Sequence, residues 1–174
     1  LISYMESHDE ERASYKIKTY GNASGGYDTK TLATRADRII QASAFFYTIP
    51  GPKMIYMFEE LGYDISIDNP CRVCEKPILW NYYNDQHRQK IYFYMASMMD
   101  MRKKYDVFNT SNFTYALNGS SKRINLNGAS MQATVVGNFA VTQKDVYPNF
   151  QHTGTWYDYF TGDTLTVSNA TAPI

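Results

Sequence analysis

A chain of 174 residues with 44% hydrophobic side chains can fill one medium core or two small ones. Seventeen Lys and Arg balance seventeen Asp and Glu, so no basic field exists to hold phosphate backbones and a nucleic-acid partner is excluded. No apolar run approaches the roughly 18 residues of a spanning helix, which excludes a membrane partner of that kind, and no signal-peptide pattern marks a cellular address.

The chain opens without methionine inside an apolar run, Leu1-Ile2-Ser3-Tyr4-Met5, and reads as a piece of something longer. Residues 1–8 are expected to form a short buried strand, which ends in a burst of charge at His8, Asp9, Glu10, Glu11 and Arg12. Residues 18–29 carry Gly21, Asn22, Gly25 and Gly26 and read as a polar loop. Thr29 or Thr31 is placed to cap a helix running to about Thr48, with Leu32, Ile39, Ile40, Ser43 and Phe46 at helical spacing. Pro50-Gly51-Pro52 stops it, because proline lacks a donor and disfavours helical geometry before it. Lys53 to Phe58 reads as a second buried strand, ending in Glu59 and Glu60.

Between that strand and Trp80 lies a proline-bearing loop holding the two cysteines, Cys71 and Cys74. A single C-x-x-C lacks the four ligands of a structural zinc site unless histidines supply the rest, and Pro70 and Pro77 do not suit a thioredoxin-like helix. Unremarkable loop thiols are the expectation, with a disulfide or redox pair and a metal pair as alternatives. Residues 85–104 form the clearest helix, with Ile91, Tyr92, Met95, Met98 and Met99 on one stripe; the methionines read as adaptable core filler. After about Val107 short runs rich in Val, Tyr and Thr alternate with turn signals at Asn118-Gly119, Asn127-Gly128 and Thr161-Gly162-Asp163. Strands are expected at 113–117, 122–126, 131–141, 144–149, 155–160 and 164–167, an all-β segment of sandwich type. The class is α+β, with two architectures joined near Asp106.

Strand, loop and helix units with polar residues massed at the strand ends describe part of a (β/α) barrel, whose working groups sit at the carboxyl ends of strands. Tyr4-Met5-Glu6-Ser7-His8-Asp9 resembles the motif aromatic-x-x-Asn-His-Asp at the end of barrel strand seven in the alpha-amylase family, glycoside hydrolase family 13. Pro50 through Gly62 is similar to that family's P-G-x-P-x-I-Y-x-G-x-E-x-G around strand eight. The helix ending Met101-Arg102-Lys103 resembles the last barrel helix, and the β segment with Gly154-Thr155-Trp156-Tyr157-Asp158 resembles the sandwich that follows. Ser7 replaces the usual Asn, and Phe58 stands where a Gly is usual.

The resemblance implies that residues 1–106 are the last two β/α units of a TIM-type catalytic barrel and that 107–174 are a carboxyl-terminal antiparallel sandwich. It implies an α-glucan as partner, with Asp9 as the carboxylate that stabilises the transition state and His8 as a sugar ligand. Arg12 is expected to orient the loop or, preferably, to pair on the surface with Glu6, Glu10 or Glu11. Glu59 and Glu60 take no catalytic role and are expected to pair with Arg or Lys. The nucleophile and general acid of the retaining mechanism lie upstream of the matched region, so the piece by itself is expected to be inactive. No metal or cofactor is assigned to it, and a calcium requirement of the parent stays open. Exposed barrel strands are expected to favour self-association and partial disorder around 1–30. The rival reading is a non-catalytic carbohydrate-binding or scaffold module whose Trp156, Tyr157 and Tyr159 stack on sugars.

Overall fold

A computed structural model describes residues 2–174; Leu1, the first residue of the expected opening strand, lies outside them. The chain divides into two compact units, one through Tyr105 and one from Asp106 to Ile174.

The first unit is built on two long helices. α2, Leu32–Thr48, starts after Thr31, whose backbone is extended, and stops at Ile49 ahead of the proline pair. α3, Gln86–Lys104, starts at Asp85, whose carboxylate accepts from the amides of His87 (2.9 Å) and Arg88 (3.2 Å). Its last turn carries Arg102, Lys103 and Lys104, cations that complement the carbonyl end of a helix. The stripes expected for both helices meet: Ala36, Ile39, Phe46 and Tyr47 of α2 pack with Ile91, Met95 and Met98 of α3 in one buried cluster. The methionines are core filler.

Both expected buried strands are cut short. β1 is Ser3–Tyr4, exposed at both positions, and β4 is Lys53–Met54, half-buried. They do pair in parallel, Ser3 with Lys53 and Tyr4 with Met54, but two dipeptide strands close no barrel. After β4 the chain abandons the extended form. Phe58 is left-handed at φ 59°, and a 3-10 turn, Glu59–Leu61, leads to Gly62 at φ 60°. The Gly expected by resemblance at 58 is a residue that adopts this geometry freely, whereas Phe58 bears its cost. Gly62 is needed for a second reason: a Cβ there would sit 2.8 Å from Ile91 Cδ1 and 3.2 Å from Ile39 Cδ1.

The expected loop over 18–29 is also corrected. A short helix α1, Ala13–Tyr20, runs into it, followed by a tight hairpin of β2, Ala23–Ser24, and β3, Tyr27–Asp28, around Gly25-Gly26. The residue before α1, Arg12, makes no side-chain capping bond and the helix has only eight residues, so it depends on tertiary contacts rather than on propensity.

Those contacts converge on Asp64. Its Oδ2 accepts from Lys18 of α1 (3.2 Å), Arg35 of α2 (3.1 Å) and Arg88 of α3 (3.1 Å), and its Oδ1 accepts from the Tyr82 hydroxyl (2.5 Å). Asp64, Arg35 and Arg88 are buried. Burial alone would raise the Asp64 carboxyl, but the Tyr82 hydrogen bond and the charges of Arg88 and Lys18 outweigh it and hold it below the ordinary 3.8.

The second unit is antiparallel. β5, Phe113–Ala116, β6, Ser121–Asn127, and β7, Gln132–Asn138, form a three-stranded meander; β8, Gly154–Tyr157, and β9, Thr164–Val167, form a separate hairpin. The turns fall where Asn118-Gly119 and Thr161-Gly162-Asp163 predict them, with Gly119 and Gly162 at φ 70° and 77°. The strand expected at 144–149 does not form. Pro148 has no amide to donate, and the segment is held instead by Val146 exchanging backbone hydrogen bonds with Ile174 and by the buried Asn125 amide donating to the carbonyls of Pro148 and Asn149.

Asp64→Asn removes the charge and leaves Arg35 and Arg88 buried without a counterion. The expected loss is about 3–5 kcal/mol, measured by urea unfolding. Because the folded pKa is depressed, the Asp64 contribution is complete above its ordinary value of 3.8 and is lost as pH falls through the folded value. Acid unfolding of the wild type should therefore be steeper than that of Asp64→Asn.

Candidate functional site

The segment leaving β1 turns sharply. Ser7 Oγ accepts from the Asp9 amide at 3.1 Å and donates to the Glu10 carboxylate, so Ser7 organises the turn. This presents His8 and Asp9 outward as neighbours, His8 Nε2 lying 3.4 Å from Asp9 Oδ2, with side chains 75% and 71% exposed. They line a cavity of about 300 Å³ together with Tyr56, Ile67, Arg72 and Val73. The two predicted site residues are thus brought together at an open face. The Asp9 backbone carbonyl accepts from the Arg72 guanidinium.

Beneath them lies an ionic layer that pattern reading placed on the surface. Arg12 is 1% exposed, not a surface residue. Its Nη1 donates to Glu6 Oε2 at 3.2 Å, and the guanidinium stacks 4.3 Å from the Tyr56 ring and 5.0 Å from that of Tyr63. Glu6 Oε1 accepts from the Ala13 amide at 2.9 Å, which ties the loop to the start of α1. The other expected partners do not pair with the Arg12 guanidinium: Glu10 accepts from Ser7 Oγ, and Glu11 accepts from the Arg12 amide (3.1 Å), the Ser66 hydroxyl (2.8 Å) and the Ile67 amide (3.0 Å).

Glu59 is buried, and among the described residues no arginine or lysine pairs with it, against expectation. Its Oε2 accepts from the Tyr56 amide at 3.1 Å, and its Oε1 has no partner. Burial pushes its carboxyl up to about 8, reinforced by the nearby Glu6, so it is held as a neutral acid at neutral pH. Burial also raises Glu6, against the pull of the Ala13 amide and Arg12.

Cys71 and Cys74 form a disulfide rather than free loop thiols, and Cys74 lines the cavity. The C-x-x-C spacing permits this closure, and nothing in the sequence placed it beside His8 and Asp9. Arg72, Tyr56 and Val73 were likewise missed; the Arg72 hydrogen bond to the Asp9 carbonyl joins segments 63 positions apart. Among the described residues no three His, Cys, Asp or Glu side chains converge as metal ligands. In the second unit Trp156 is half-buried, stacked 4.6 Å from His152 and packed 4.7 Å from Phe150, whereas Tyr157 stands 73% exposed.

No protein-family model and no curated protein matches the sequence. Among solved structures the chain is similar to AmyP in complex with maltose, with a TM-score of 0.74 at 16% identity over 99% of this chain and 38% of that one. It is similar to a variant of AmyP in complex with maltotriose, with a TM-score of 0.73 at 15% identity and the same coverage. The chain has the fold of part of AmyP. It spans 38% of the length of these neighbours, and the shared stretch includes both units of this chain.

The neutral state of Glu59 sets a pH dependence. A carboxyl whose folded pKa is raised contributes stability that is complete below its ordinary value of 4.5 and is lost as pH rises through about 8. Glu59→Gln mimics the neutral acid. It should unfold at nearly the wild-type urea concentration near pH 5 and become the more stable of the two above pH 8. Parallel pH profiles for the two proteins would contradict a neutral Glu59.

Proposed function

We propose that this chain is the carboxyl-terminal part of an α-glucan-active glycoside hydrolase or transglycosylase of the alpha-amylase family. In this reading residues 1–106 belong to the end of its (β/α)8 barrel, residues 107–174 are its terminal β-sandwich, and the whole protein acts by a retaining mechanism. The observation that carries the reading is the outward-facing His8–Asp9 pair at an open cavity, in a chain whose fold over 99% of its length is that of a protein seen with maltose and maltotriose.

The chemistry follows from the groups present. An ionised Asp9 accepts hydrogen bonds from sugar hydroxyls, and those bonds strengthen as positive charge develops on the ring. His8, beside it, donates to or accepts from the same sugar. Tyr56 offers an aromatic face at the cavity wall. Hydrolysis needs two carboxyl groups facing each other across the scissile bond, about 5–5.5 Å apart in a retaining enzyme. Asp9 is the one carboxylate lining this cavity among the described residues; Glu6 is bound by Arg12 and the Ala13 amide, and Glu59 is buried and neutral. The chain alone therefore binds without cleaving.

Two measurements test this. Incubation with maltotriose or starch should release no reducing sugar, and turnover by this chain alone would overturn the assignment of the missing carboxylates to the rest of the parent. In calorimetric titration with maltotriose, Asp9→Asn should bind about thirtyfold more weakly, the equivalent of about 2 kcal/mol for a hydrogen bond to a charged group. Equal affinity of wild type and Asp9→Asn would remove Asp9 from the site.

A further inference from the structure

Beside Tyr56 and Ile67, two stretches of chain far apart in sequence line the cavity at His8 and Asp9. One supplies His8 and Asp9; the other supplies Arg72, Val73 and Cys74. The second stretch is closed on itself three times over. The Cys71–Cys74 disulfide staples its ends, the Cys74 amide donates to the Cys71 carbonyl at 3.2 Å, and Lys76 Nζ donates to the carbonyls of Ile67, Asn69 and Cys71. A lysine committed to three carbonyls fixes the path of the loop rather than offering a charge to a ligand.

From this closed loop Arg72 reaches across 63 positions of sequence and donates through Nη2 to the Asp9 backbone carbonyl. Its Nη1 lies 3.6 Å from Asp68 Oδ1, which holds the guanidinium from behind. The Asp9 carboxylate lies 3.4 Å from the neighbouring His8 ring, with its side chain 71% exposed. So the position of Asp9 is set by its backbone: Ser7 holds the amide, and Arg72 holds the carbonyl.

We propose that Arg72 is a positioning residue for Asp9 and that the Cys71–Cys74 disulfide, added to the Lys76 and backbone closures of the loop, holds Arg72 in the approach that reaches Asp9, so that α-glucan affinity at this cavity depends on the oxidised state of the pair. The proposal rests on the reading of His8 and Asp9 as sugar ligands. It adds a redox dependence to that site. Cys74 is exposed, so an external dithiol reaches it. A thiolate of the reductant attacks Cys74 Sγ, and Cys71 leaves as a thiolate. The second reductant thiol then breaks the mixed disulfide, giving two protein thiols and one oxidised reductant, a balanced transfer of two electrons and two protons. The ring closed by the disulfide then opens, the turn around Val73 (95% exposed) is no longer cross-linked, and Arg72 loses its fixed approach to Asp9.

The test uses the isotope-labelled chain in its oxidised form, after reduction with dithiothreitol, and as Arg72→Ala and Arg72→Lys with the disulfide intact. The carbonyl carbon resonance of Asp9 reports the hydrogen bond directly, and calorimetry reports maltotriose affinity. Reduction and Arg72→Ala are each expected to shift that resonance and to weaken maltotriose binding about tenfold, while Arg72→Lys, which keeps a donor, retains both. The methyl resonances of Met95 and Met98 in the core should not move, which separates local release from unfolding. An Asp9 resonance unmoved by reduction and by Arg72→Ala would overturn the proposal, as would a shifted resonance with unchanged affinity. Absence of maltotriose binding by the oxidised wild type would sink the functional reading instead, and the Asp9 resonance would still decide the coupling.

Discussion

Three helices of the first unit donate to one buried carboxylate, and without Asp64 they would present like charges to one another. Arg35 and Arg88 are drawn to the same oxygen from α2 and α3, Lys18 reaches it from α1, and Tyr82 occupies the second oxygen. Arg88 also donates to the carbonyls of Leu61 and Gly62, 2.8 and 2.7 Å away. It thereby fixes the turn that ends in the left-handed Gly62. Two buried guanidiniums are costly to desolvate, and the cost is offset by Asp64 and by the carbonyls that the Nη groups reach, Lys30 for Arg35 and Leu61 and Gly62 for Arg88. The apolar packing of α2 on α3 supplies the area, but the ionic centre decides how α1 and the 59–64 turn attach to it.

That attachment places the candidate site. The 59–64 turn brings Tyr56 and Tyr63 against Arg12, and Arg12 with Glu6 anchors the loop on which His8 and Asp9 are carried. The result is a gradient of exposure. Asp64 and Glu59 are buried, Glu6 and Arg12 lie beneath the loop, and His8 and Asp9 stand in solvent. Acids at different depths take different states. Asp64 stays charged because it is surrounded by donors, while Glu59, with one oxygen lacking a partner, stays neutral. Among the described residues Asp9 is the carboxylate that lines the cavity, apart from the ionic centre and from the buried acids beneath the loop.

Local pattern made the long elements legible. The stripes of α2 and α3 and the Asn-Gly turns of the β unit each follow from a few adjacent residues. The His8–Asp9 pair was legible as a strand-end motif. What escaped was decided by contacts remote in sequence. Arg12 looked like a surface cation among acids, yet two tyrosines more than forty positions away bury it. Glu59 looked like half of an ion pair, and the left-handed Phe58 turns it inward instead. The run Lys53 to Phe58 has the composition of a strand but pairs at only two residues, because its neighbour β1 is itself only two residues long. Pro148 removed a strand that Val and Tyr alone would predict.

The proposed sugar site is the His8–Asp9 pair rather than the exposed aromatics of the β unit. Backbone amide resonances recorded during titration with maltotriose decide between these places. The expected result is saturable shifts at His8, Asp9, Tyr56 and Arg72, with β8 and β9 unmoved. Shifts confined to Tyr157 and its hairpin, with His8 and Asp9 unchanged at saturation, would contradict it.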